Sequence, residues 1–81
     1  MVTQTYTQSQ QQVLEVVCDA LAIACANGVQ STVLASLGPV WDSIGMLSVM
    51  FAIEAYNGAV ISPEAIVEAK TVDDLVHLAD V

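Results

Sequence analysis

Basic residues are almost absent from this 81-residue chain: Lys70 stands alone against nine carboxylates, leaving a formal charge of −8. Such a surface repels phosphate backbones and anionic membrane surfaces, which argues against nucleic acid or a membrane as partner. It favours rapid encounter with basic patches on other proteins, and it also keeps an apolar domain in solution. Histidine is equally scarce, His77 being the only one. With no Gly-x-Ser-x-Gly elbow beside this one conceivable base, a serine hydrolase is a poor reading. His77 lies in the last helical stretch, off its apolar stripe and near the negative end of the helix dipole, where a solvent-facing side chain is expected.

The two cysteines, Cys18 and Cys25, form no Cys-x-x-Cys pair and have no companions for a metal site. Read on one helix, they lie about 10 Å apart along the axis, beyond the ~7 Å Cα separation that a disulfide tolerates. Two free thiols on the core side are expected, as in a reducing compartment. No apolar run approaches the length of a bilayer span. The start, Met1-Val2-Thr3-Gln4-Thr5, has neither the basic residues nor the apolar stretch of a signal peptide. A soluble, cytoplasmic monomer is the expectation.

Against these absences stands 56% hydrophobic content with only 12% charged residues, enough to build one packed core in a chain of this length and too apolar for disorder. Residues 1–9 are polar and read as a frayed lead-in to a single domain over 10–81. From about Gln10 to Ala26, Leu14, Val17, Cys18, Leu21 and Cys25 recur at helical spacing, widened by Val13, Val16, Ala20 and Ile23. Gln12, Glu15, Asp19, Ala22 and Ala26 occupy the narrow outer arc, and Asn27-Gly28 supplies a stop. Residues 29 to 41 lack a sustained period. Their apolar members Val33, Leu34, Leu37, Val40 and Trp41 should pin a long connection against the helices, and loops of that length are usually functional.

Asp42 is a good N-cap, and the apolar spacing after it predicts a second helix from Ser43 to about Tyr56. Ser43 would then sit at the first helical position, where unpaired N–H groups and the helix dipole favour an anion. Met46, Val49, Met50 and Ile53 form a stripe suited to the core, the two methionines either plain packing or lining for an apolar cavity. Ile44, Leu47, Ser48, Phe51 and Ala55 form an outward face almost as apolar, a candidate interface beside Ser43. Ser62, Pro63 and Glu64 start a short third helix running to about Glu68. Thr71-Val72-Asp73-Asp74 caps a fourth, with Val72, Leu75, Val76 and Ala79 inward. With no strand-like alternation and no internal repeat, the fold class is all-α: a four-helix bundle with a long first loop and a short third helix.

The stretch Asp42-Ser43-Ile44 resembles the modification site of the acyl carrier protein family, in which such a triplet opens the second of four helices. The likeness continues through Ala52-Ile53-Glu54, the Asn57-Gly58 turn, Ile61-Ser62-Pro63-Glu64 and Thr71-Val72-Asp73-Asp74-Leu75. The resemblance implies that Ser43 carries 4′-phosphopantetheine, placed there from coenzyme A by a magnesium-dependent phosphopantetheinyl transferase, with Asp42 aiding recognition as well as capping. The arm's thiol would hold cargo as a thioester for loading enzymes and synthases, and the chain itself would be no enzyme. Carriers often read Leu-Gly-x-Asp-Ser, whereas this chain has Leu37-Gly38-Pro39-Val40-Trp41-Asp42-Ser43, and the extra residues alter the loop. Trp41 would pack the loop on the core or lie along the arm. Glu54 matches an acidic recognition position of the family, but Ser48 and Ala55 replace others commonly acidic in fatty acid carriers. Partners are therefore expected to rely on Ile44, Leu47 and Phe51 more than on ion pairs. That points to a free-standing carrier of a specialised polyketide or peptide pathway, while Ser-Ile-Gly after Asp42 also resembles D-alanyl carriers. An unmodified acidic adaptor docking through helix 2 is the competing reading.

Overall fold

Thr7 starts the first helix. In the computed structural model, which describes residues 6–26 and 28–79, its hydroxyl accepts from the Gln10 N–H at 3.1 Å and its own N–H donates to Gln10 Oε1 at 2.9 Å. This reciprocal cap satisfies two of the helix's otherwise unpaired donors. Helix α1 spans Gln8–Leu21 and buries Val13, Leu14, Val17, Cys18 and Leu21. The expected lead-in is thus shorter than 1–9: the Tyr6 hydroxyl donates to Asp73 of the last helix, and its ring packs against the core. The rest of it, residues 1–5, lies outside the described residues.

The end of α1 is also a correction. The helix stops at Ala22, which adopts φ 57°, rather than running to Ala26. A left-handed alanine costs roughly 1–2 kcal/mol, offset here by the N–H groups of Ala22 and Ile23, which close back onto Asp19 O at 3.1 Å and Cys18 O at 3.0 Å. Of the expected stop, Asn27 lies outside the described residues, and Gly28 serves instead to open the next turn. The reversal carries Cys25 out of the helix into solvent, so it does not face the core, whereas Cys18 is buried as expected. The two thiols are nonetheless neighbours, because the chain folds back: burial first, and then hydrogen bonding to Cys25, push the Cys18 thiol up to about 12. Reaction with iodoacetamide at pH 8 should therefore add one group to the native protein, at Cys25, and two after denaturation, as counted by intact mass.

The long connection is anchored at both ends and in its middle. A 3₁₀ turn, Val29–Ser31, sinks Val29 into the core. Leu34 N–H then donates to Lys70 O at 2.8 Å, and Val72 N–H to Thr32 O at 3.0 Å, forming an isolated bridge between Val33 and Thr71. That tie drops Leu34 into the core while leaving Val33 exposed. A second 3₁₀ segment, Leu34–Val40, is interrupted at Gly38. Of the apolar residues expected to pin this stretch, Leu34 is buried, Leu37 and Trp41 are half-buried against the core, and Val40 is exposed. Val33 and Val40 do not pin it: Val33 pairs by its backbone with Thr71 in the bridge while its side chain stays outside, and Val40 ends the 3₁₀ segment on the solvent side.

Helix α2 spans Ser43–Asn57, α3 Pro63–Glu68 and α4 Val72–Leu78. As the capping residues predict, Ser62 Oγ accepts from Ala65 N–H and Thr71 Oγ1 from Asp74 N–H, each at 3.2 Å. Helix α1 packs chiefly on α2 and then on α4. Val49 and Ile53 of α2, Ile66 of α3, and Val72, Leu75 and Val76 of α4 close one core around Val13 and Val17. Asn57 fastens the end of α2 to the end of α4 by donating from Nδ2 to Ala79 O at 2.9 Å. The architecture is the all-α, four-helix arrangement expected, with α3 shortest and the connection after α1 long.

Asp74 is the electrostatic keystone of α4. Its carboxylate accepts from the N–H groups of Lys70 at 2.8 Å and Thr71 at 3.1 Å, and these bonds, Lys70 first, hold its carboxyl below the ordinary range. A depressed folded-state value contributes stability above the ordinary carboxylate range and loses it as pH falls through the folded value. Thermal melts at pH 7 and pH 3 should thus show a smaller acid-induced drop for Asp74→Asn than for the natural protein.

Candidate functional site

The start of α2 is built by two turns meeting head-on. Gly38, with φ 64° and ψ −131°, takes a backbone conformation closed to other residues, and Pro39 follows with its fixed φ. Trp41 N–H then closes the turn onto Gly38 O at 3.1 Å. The chain bends by 107° between Leu34–Val40 and Ser43–Asn57, and Asp42 turns it into the helix. Asp42 Oδ1 accepts from Gly45 N–H at 2.9 Å, and Asp42 O from Met46 N–H at 2.9 Å. Asp42 is therefore the N-cap, and its carboxylate is directed at the helix rather than at its neighbour.

Ser43, the first residue of α2, is exposed. Among the described residues no group hydrogen-bonds its hydroxyl, whereas Ser36 Oγ donates to Val33 O and Ser62 Oγ caps α3. The Ser43 and Ile44 N–H groups, first in the helix, have no acceptor within it. An exposed hydroxyl thus stands at the positive end of a 15-residue helix.

Around it the outward face is as apolar as its spacing suggests. Ile44 is 74% exposed, Leu47 47% and Phe51 62%. Glu54 and Ala55 are exposed as well, but Ser48 is half-buried and stands back from that face. Met46 and Met50 pack against the core beside fully buried Val49 and Ile53, which is the packing use expected of an inward stripe. Trp41 does the same for the loop. His77 belongs to another helix: it is exposed on α4, with Nδ1 2.8 Å from Asp73 O and 3.4 Å from Asp73 Oδ2.

The sequence model for the phosphopantetheine attachment site matches residues 11–79, nearly the whole described chain. The chain belongs to that family. It is a phosphopantetheine-carrying carrier protein, and the family's group is covalently attached 4′-phosphopantetheine. Carrier domains of the family are non-catalytic and work with phosphopantetheinyl transferases and with other enzymes. Comparison with curated proteins and with solved structures gives no match.

The residues at the start of α2 fit this group. An exposed hydroxyl without a partner among the described residues leaves room for a phosphodiester, and the first N–H groups of the helix, which have no acceptor within it, favour the charge such a diester carries. One participant was not singled out in the sequence. A Cβ on Gly45 would lie 2.3 Å from Val40 O, so the turn rests directly on the glycine. The available signal was a glycine in the first turn of a helix, where its low propensity calls for another reason to be there.

Proposed function

We propose that Ser43 is the attachment point, and that the protein is a free-standing carrier presenting thioester-bound intermediates to separate biosynthetic enzymes, with no catalytic activity of its own. The observation that carries this reading is the placement of the Ser43 hydroxyl at the start of α2: exposed, without a hydrogen-bond partner among the described residues, and beside a carboxylate already engaged in capping. Asp42 holds the helix start in place. The first N–H groups favour the negative diester. When attached, the group supplies a thiol on a long arm that forms thioesters.

The pathway reading rests on the exposed face of α2. Apolar Ile44, Leu47 and Phe51 dominate it, and Glu54 is the only carboxylate of α2 after the Asp42 cap. That balance supports partners that dock by apolar contact, as in a specialised polyketide or peptide pathway. An aminoacyl or D-alanyl cargo is the alternative within the same chemistry. Loading of the phosphopantetheinylated protein by an acyltransferase, compared with loading by an amino-acid-activating enzyme, separates the two by the mass of the thioester formed. In whichever reaction proceeds, Phe51→Ala should lower kcat/KM about tenfold, as loss of an aromatic anchor does, and Glu54→Gln by less than about threefold. The reverse order would sink the apolar-docking reading.

A further inference from the structure

The turn ahead of Ser43 is held down by an approach that no side chain permits. Gly45 N–H donates to Asp42 Oδ1, and the Val40 carbonyl oxygen obstructs the place of a Cβ on the same residue, 2.3 Å from where that atom would be. The obstructing atoms are backbone, Val40 O and C, with Asp42 Oδ1 at 3.6 Å. They cannot be relieved by a rotamer change. An added methyl must push Val40 O away by about 1 Å to reach ordinary contact, lifting the Gly38–Trp41 turn or breaking the Asp42 cap. Ser43 follows Asp42 directly, so either response moves its hydroxyl. Half-buried Trp41 moves with it.

We propose that Gly45 is a positioning residue for the modification of Ser43: by leaving room for Val40 O, it lets the Gly38–Trp41 turn close on the first turn of α2 and fixes the Ser43 hydroxyl for attack. The inference rests on Ser43 being the attachment point. It also explains how the extra residues between Leu37 and Asp42 are accommodated. The turn they form is seated on the one helix position that lacks a side chain, so turn and glycine work as a matched pair.

The test compares the natural protein, Gly45→Ala, and Gly45→Ala with Pro39 and Val40 deleted, each shown to be helical by circular dichroism. Each is modified by a phosphopantetheinyl transferase with coenzyme A and magnesium, and Trp41 emission is recorded beforehand. A misplacement of about 1 Å can cost on the order of 100-fold in rate, so Gly45→Ala should lose at least about tenfold in kcat. Partial unfolding alone would dilute the substrate and raise apparent KM with kcat unchanged. Trp41, the sole tryptophan, should shift its emission to the red in Gly45→Ala, and removal of the obstructing turn should restore most of kcat. A kcat within twofold of the natural value, an unshifted emission, or an equal loss in the turn-deleted background that folds would each overturn the proposal. If the deletion variant does not fold, kcat and emission of the single substitution decide. Failure of the natural protein to be modified at all would instead strike the attachment reading, and the positioning role would fall with it.

Discussion

Ser43→Ala is expected to keep the fold and lose all modification. The hydroxyl is exposed and makes no hydrogen bond among the described residues, so removing it should change stability by less than about 0.5 kcal/mol. Alanine is also a better helix former than serine. Chemically the change is total, because the oxygen that would form the phosphodiester is gone and no neighbour replaces it. Ser48 is more than one helical turn away and half-buried, and the hydroxyls of Ser36 and Ser62 are bonded to their own backbones. Ser48→Ala should therefore be modified at the natural rate. Intact mass resolves both variants, with circular dichroism confirming that each is helical.

The largest stability effect is expected from Ile53→Ala. Ile53 is fully buried near the middle of α2, on the face turned to the core. Removing three carbons from such a site costs about 2–5 kcal/mol in lost burial and residual cavity. A domain of this length has a total of only about 4–12 kcal/mol, so the melting temperature should fall by more than about 10 °C. Phe51→Ala, two residues earlier on the outward face, removes more atoms from a side chain that is 62% exposed and should cost less than about 1 kcal/mol. The pair separates the helix's two apolar faces: one holds the fold, and the other is free to meet a partner.

Much of this arrangement could be read before any coordinates. The caps at Asp42, Ser62 and Thr71 were legible because capping depends on a short polar side chain placed just before an apolar period, and all three oxygens accept the expected N–H. The outward exposure of Ile44, Leu47 and Phe51 followed from the 100° step alone. The failures share a different cause. Ala22 ends α1 in a left-handed conformation that its side chain does not advertise, while Ile23 and Cys25 continue the apolar spacing beyond the true end. The contact between the Cys18 and Cys25 thiols follows from that reversal, so it was hidden by the same error. Tyr6 looked like part of a polar tail, because its partner Asp73 is 67 residues away in sequence. The close seat of Val40 O on Gly45 was equally nonlocal in kind: it depends on how two turns meet, and periodicity describes neither.

The measurement that bears most directly on the carrier account is intact mass after incubating the protein with coenzyme A, magnesium and a broad-specificity phosphopantetheinyl transferase. The account predicts a gain of one phosphopantetheinyl group, located by fragmentation on Ser43. No gain in a folded sample, with a known carrier modified in the same tube, would contradict it and return weight to an unmodified adaptor that docks through the exposed face of α2.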